Sequence, residues 1–271
     1  MPELPETLLR AREMNAELSR RTFASAELFQ PKCLNLPPTE FAERVTGATV
    51  QGATHRGKWM FLHLGEQELL LNLGMGGEIL FHRPDEPLPD KLQALFTFTD
   101  GSRLSLHFWW FGYIHLVSRA ELPQHKMTAG LGVDPLSDAF TVDALAALLA
   151  GRRTRIKSIL LDQSQIAGIG NMYSHDILFR ARLHPLRPAN SLTADETAAL
   201  WRSIRETLQG AVDLGGTHWE QNLYGQGGSF DMDCLLVGYK EGQACPVCGT
   251  NVVKIKTGST ASFICPACQS L

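Results

Sequence analysis

Cys245-Pro246-Val247-Cys248 is followed, after 16 residues, by Cys265-Pro266-Ala267-Cys268. This C-x2-C … C-x2-C spacing belongs to a four-cysteine zinc site. Each short turn sets two sulfurs on one side of a metal, and a hairpin between the turns brings the second pair opposite. Two disulfides are the competing reading. No charged leader with an apolar stretch opens the sequence, so an oxidising compartment is not expected and the thiol reading is preferred. Four protein ligands leave no open coordination position, so the ion, one Zn2+, is expected to be structural. Residues 237–271 therefore read as a β-hairpin zinc ribbon. Cys33 and Cys234 stand alone and read as packing residues.

Upstream of the ribbon the period is helical. Val142 to Leu149 forms one helical stretch, and 193–213 another, with Thr193 as N-cap and Glu196 completing a capping box. Gly130 to Leu136 carries Gly and Pro and reads as a hinge. Between about 22 and 118 the pattern changes to short apolar runs, among them Met60–Leu64, Glu68–Leu73 and Ala94–Thr99, with a hairpin turn at Asp100-Gly101. Leu8, Leu9, Met14 and Leu18 mark an amphipathic helix near the start. The expected fold is α+β and multidomain. An antiparallel β-sandwich with an N-terminal helix spans 1–131, a helical domain spans 132–236 and the ribbon spans 237–271. The chain has 271 residues, 44% of them hydrophobic, enough for ordinary cores. No apolar run approaches the roughly 18 residues that span a bilayer. Cytoplasmic residence and no membrane partner are expected. A formal net charge of −3 argues against a protein that coats nucleic acid non-specifically, but leaves room for local basic patches.

Two segments carry chemistry. Ile166-Ala167-Gly168-Ile169-Gly170-Asn171-Met172-Tyr173 joins helical stretches through two glycines. Amides at the start of the following helix make a phosphate site, to which Asn171 adds a side-chain donor. Arg152, Arg153, Arg155 and Lys157 lie just upstream. The competing reading is a plain helical corner. At the other end stands Met1-Pro2-Glu3-Leu4-Pro5-Glu6. Removal of Met1 would leave Pro2 as a secondary amine, and an α-amino group titrates at about 7.7–8.0 where a lysine titrates at about 10.4. Such an amine can attack a carbonyl-like carbon and form an iminium, with Glu3 beside it as acid or base.

The whole constellation resembles the formamidopyrimidine-DNA glycosylase / endonuclease VIII family. The residues that carry the likeness are Met1 to Glu6, Arg56-Gly57-Lys58, Leu73-Gly74-Met75, Phe111-Gly112, Asp134-Pro135-Leu136, Leu160 to Gln163, Ala167 to Tyr173, Leu183-His184-Pro185, Gly215-Gly216-Thr217 and the ribbon. They span nearly the whole chain. The resemblance implies a base-excision-repair glycosylase and abasic-site lyase with a helix-two-turn-helix domain. Pro2 would attack the anomeric carbon of the damaged nucleotide, and the iminium would drive β,δ-elimination. Glu3 would open the sugar ring, Glu6 would support it, and Lys58 would touch the flipped nucleotide's phosphate or sugar. Met75 would fill the space left by the everted base. Gly170, Asn171, Tyr173 and the hairpin residues Lys256 and Thr260 fall on the DNA-binding positions. The partner implied is duplex DNA with a damaged base or abasic site. A monomer, no organic cofactor and association with the bacterial nucleoid are expected. A damage-binding relative with little base excision is the alternative.

The sequence also departs from the family's pattern. Trp109 and Trp110 stand where two arginines usually precede Phe111-Gly112, and one of those arginines reads the cytosine opposite the lesion. Alternation along a strand would pair Trp109 with Phe111 on one face and bury one tryptophan in the sheet. Thr260 replaces the hairpin arginine, Asn72 a histidine and Asp176 a glutamate. The loop Thr217 to Gly228 falls on the lesion-recognition region and adds Trp219 and Tyr224. These changes point to stacking on the everted base rather than readout of a single oxidised purine.

Overall fold

The computed structural model describes residues 1–271. The chain packs as two compact units, Met1–Gly130 with Leu214–Ser229, and Leu131–Asp213 with Phe230–Leu271. The expected partition placed residues 214–229 with the helical domain and set the ribbon apart. Instead that segment packs with the N-terminal unit, and the ribbon packs with the helices.

The first unit opens with helix α1 (Leu4–Leu18), started by Pro5 in its first turn and by a capping box between Glu3 and Glu6. Leu4, Met14 and Leu18 are completely buried. Strands β1 (Phe23–Leu28), β5 (Glu78–His82), β6 (Ala94–Phe98) and β7 (Arg103–His107) form an antiparallel sheet in the order β1-β6-β7-β5. Strands β2 (Gly52–Arg56), β3 (Trp59–Leu64), β4 (Gln67–Asn72) and β8 (Tyr113–Ser118) form a second, in the order β2-β3-β4-β8. A short helix α2 (Pro38–Val45) packs on β1. Inward-facing Met60, Leu62, Leu69, Leu71, Phe96, Leu104, Leu106, Ile114 and Leu116 fill the space with Phe23 and Phe41. Apolar area buried at about 25 cal/mol per Å2 makes this core the main support of the unit. Asn15 ties α1 to the edge strand, its Oδ1 accepting from the Ala53 amide at 3.0 Å.

The second unit contains α3 (Val142–Leu149), α4 (Ile156–Leu161), α5 (Asn171–Arg180) and α6 (Ala194–Asp213). Thr193 and Glu196 form the expected capping box, with Thr193 N donating to Glu196 Oε2 at 2.9 Å and Glu196 N to Thr193 Oγ1 at 3.2 Å. Leu145, Ile156, Leu160, Ile177, Leu200, Ile204 and Leu208 form the helical core. The ribbon hairpin is β9 (Val253–Thr257) paired with β10 (Thr260–Ile264). Lys157 on α4 is buried and holds this hairpin, its Nζ donating to Ala261 O at 2.6 Å and Ser262 Oγ at 2.7 Å. Burial pushes its ammonium down to about 8. Asp176 is likewise structural, because its carboxylate accepts from the Leu236, Val237 and Gly238 amides at 2.6–3.0 Å.

Candidate active site

Pro2, Glu3 and Glu6 lie together at the start of α1 and all three are buried. Glu6 binds in two directions. Its Oε2 accepts from the Glu3 amide at 2.9 Å, and its Oε1 accepts from the Thr217 amide at 3.2 Å. The carboxylate therefore fixes the backbone on both sides of Pro2's pocket, which is lined by Pro2, Glu6, Thr7, Arg10, Glu220 and Gln221 among others. Gly216 takes φ +82° beside the Glu6 side chain, a conformation that glycine adopts without strain.

Lys58 sits in the two-residue turn between β2 and β3, half-buried. The turn is pinned from both sides. Thr7 Oγ1 donates to Gly57 O at 2.7 Å, and Asn72 Nδ2 donates to Lys58 O at 2.9 Å. Asn72 Oδ1 also accepts from the Gly74 amide at 3.0 Å. Asn72 thus links the lysine turn to the loop that carries Met75. Such a link uses both ends of an amide side chain, one donor and one acceptor.

Met75, Trp109, Trp110 and Phe111 form an exposed apolar knuckle. They are 49%, 66%, 64% and 71% exposed, far more than isolated surface hydrophobes in this chain's core-facing strands. A β-bridge joins Met75 to Trp110, with Met75 N donating to Trp110 O at 2.9 Å and Trp109 N to Met75 O at 3.2 Å. Gly74 allows this approach, since a Cβ there would lie 2.0 Å from the Trp110 carbonyl oxygen. The expectation that one tryptophan is buried in a sheet is not met. The strand ends at His107, and Phe111 takes a left-handed φ of 55°, so the alternation of a strand no longer applies.

The loop 214–229 is strapped along α1 by three carboxylates. Glu6 holds Thr217, Glu13 Oε2 accepts from the Leu223 amide at 2.9 Å, and Glu17 Oε2 accepts from Tyr224 Oη at 3.1 Å. Positions 6, 13 and 17 share one helix face. Thr217 is fully buried and its hydroxyl oxygen has no hydrogen-bond partner, whereas Trp219 and Tyr224 are about half exposed, at 45% and 51%.

In the second unit, Gly170 is the N-cap of α5 and Asn171 its first residue. Asn171 Nδ2 lies 3.4 Å from His175 Nε2, and its buried Oδ1 has no partner. Tyr173 is completely buried with its ring edge-on to Phe230 at 5.5 Å. Its side chain belongs to the helical core, so the DNA-facing role expected for it is not available to the ring. Lys256 is exposed on the hairpin, and Thr260 faces back across the turn, its Oγ1 donating to Thr257 O at 3.3 Å.

Cys245, Cys248, Cys265 and Cys268 place their four sulfurs within 4.8 Å of one another, and none is in a disulfide. Zn–S bonds of about 2.3 Å in a tetrahedron put sulfurs about 3.8 Å apart. The observed Cys245–Cys268, Cys248–Cys265 and Cys248–Cys268 separations are 3.9, 3.4 and 3.6 Å. The cluster fits one structural Zn2+.

Three family models match in register with this geometry: the formamidopyrimidine-DNA glycosylase N-terminal domain over residues 1–110, its H2TH domain over 131–222, and a zinc finger found in FPG and IleRS over 242–271. A formamidopyrimidine-DNA glycosylase of Symbiobacterium thermophilum is 37% identical across 99% of this chain and 89% of its own length. The chain belongs to the formamidopyrimidine-DNA glycosylase family. A Roseiflexus member is 39% identical, covering 99% of this chain and all of its own. Among solved members of the family, the Lactococcus lactis enzyme bound to Fapy-dG DNA superposes with a TM-score of 0.91 at 28% identity, each chain covered completely. The same enzyme with oxidised-pyrimidine DNA gives 0.90 at 29%, again with full coverage of both.

Glu220 is the residue that sequence reasoning missed at this site. It lies inside the recognised loop, but nothing in the order Trp219-Glu220-Gln221 signals that the carboxylate turns towards the chain start.

Proposed function

We propose that this glycosylase works through Pro2 as its nucleophile once Met1 is removed. Membership in the family carries the activity class: a base-excision DNA glycosylase that is also an abasic-site lyase and acts on duplex DNA bearing a damaged base or abasic site. The observation that carries the residue assignment is the pocket at the head of α1, where Pro2, Glu3 and Glu6 are buried together and Glu6 also holds the loop at Thr217. Buried carboxylates beside an amine are suited to move protons at that amine. Attack at the anomeric carbon expels the base and leaves an iminium joining protein and sugar. Electron withdrawal by the iminium then drives β- and δ-elimination. Glu3 serves ring opening, and Lys58, on its pinned turn, contacts the phosphate or sugar of the flipped nucleotide.

Asn171, the Gly170 amide region and Lys256 supply phosphate contacts. Met75 and the aromatic knuckle fill the space left by the everted base, which offsets the few kcal/mol of stacking lost on flipping. Tryptophan has a single donor and a broad π-face, so the knuckle stacks on bases of any identity where a bidentate arginine would select one. Lesion and opposing-base specificity is accordingly broad. Nucleoid association follows from DNA engagement.

Borohydride trapping on an abasic-site duplex tests the assignment. A covalent adduct is expected with the processed protein. It should vanish in Pro2→Gly or when Met1 is retained. An undiminished adduct in Pro2→Gly would refute Pro2 as nucleophile.

A further inference from the structure

The pocket at the head of α1 holds a second carboxylate that the mechanism above leaves unused. Glu220 Oε1 lies 3.3 Å from the Met1 amino nitrogen, and its side chain is only 11% exposed. Glu220 also lines the pocket with Pro2, Glu6 and Arg10. The other two candidates for a base are committed. Both Glu6 oxygens accept backbone amides, and Arg10 is paired with Glu13 at 2.7 Å. Consecutive Cα atoms are about 3.8 Å apart, so removal of Met1 moves the charged terminus one short step, onto the residue that forms the pocket wall.

We propose that Glu220 is the proton acceptor of the Pro2 amine. This rests on the reading of Pro2 as the nucleophile. One proton passes from the protonated secondary amine to the Glu220 carboxylate. The freed lone pair then forms the nitrogen–carbon bond at the anomeric centre, while the bond to the base breaks and its electron pair leaves on the base. The groups facing Glu220 set its basicity. Burial and the Glu6 carboxylate raise its pKa, while the terminal ammonium and Arg10 lower it, and the net direction is up. A carboxylate raised in this way lies closer in pKa to the amine and takes its proton more readily.

The test is single-turnover borohydride trapping on an abasic duplex across pH, using wild type, Glu220→Gln and Glu220→Asp, with Met1 removal verified by mass. At neutral pH the glutamine variant should trap at least tenfold more slowly. The deficit should close as pH rises past about 8, where the bulk solvent deprotonates an α-amine. Duplex affinity should be unchanged, and aspartate should restore part of the rate. Superposed pH profiles for wild type and Glu220→Gln would overturn the proposal. So would a pH-independent deficit accompanied by weaker duplex binding, which would make Glu220 an anchor of the loop. Absence of any adduct in the wild type would instead sink the Pro2 reading, and this proposal with it.

Discussion

At the scale of single residues, the chemistry and the choice of target are separable. Pro2, Glu3 and Glu6 are buried in one pocket, while Trp109, Trp110 and Phe111 project at a bridge to Met75. Trp109 packs over Gly76, where a Cβ would lie 2.5 Å from the indole, so its ring is seated rather than loose. Trp109→Arg should therefore restore hydrogen-bond readout of an opposing cytosine. A good bidentate pair contributes about 1–3 kcal/mol of discrimination, roughly tenfold to a hundredfold. Excision measured opposite each of the four bases should shift towards cytosine by that factor, with abasic-site trapping unaltered. An unchanged opposing-base profile would show that position 109 does not face the opposing strand. Strong and exclusive excision of 8-oxoguanine opposite cytosine by the unmodified protein would overturn the stacking argument altogether.

At the scale of elements, α1 and the 214–229 loop behave as one piece. Glu13 is the middle strap, holding both the Leu223 amide and Arg10. Glu13→Ala should loosen the loop without touching Pro2. Excision of a damaged base should fall severalfold, while trapping on a preformed abasic site, which holds no base to recognise, stays near wild type; equal losses in the two assays would contradict this division. Much of the element plan was legible in the sequence, for definite reasons. The helix 142–149 has a Thr141 cap and apolar spacing, and it occupies Val142–Leu149. Runs at 60–64, 68–73 and 94–99 became strands because β-branched and aromatic residues alternate or cluster between turn residues. The capping box at Thr193 marks the start of α6 within one residue. What stayed illegible depends on distant partners. No local pattern tells a glycine-rich loop which unit it packs on, and no periodicity marks Tyr173 as core rather than surface. The knuckle escaped because a left-handed Phe111 breaks the strand period on which the expectation relied.

At the scale of the molecule, the ribbon has its own small core of Phe179, Val237, Val252 and Phe263 around the buried cysteines, separate from the helical core. Metal and hairpin therefore fold together, while the helices hold themselves. Chelation of zinc, or Cys248→Ala, should unfold the ribbon, weaken duplex binding and leave most helical circular dichroism in place. Unaltered affinity in the variant would remove the ribbon from the DNA-binding surface. The straps from α1 have one more consequence, which concerns inheritance. The loop that faces the target and the residues that moor it lie more than 200 positions apart, at Glu6, Glu13 and Glu17 and at Thr217, Leu223 and Tyr224. A chimera built by exchanging contiguous segments with a relative would carry the loop away from its moorings. The smallest transplantable cassette of this protein is discontinuous, the first helix together with the distant loop, and the two are expected to diverge in step.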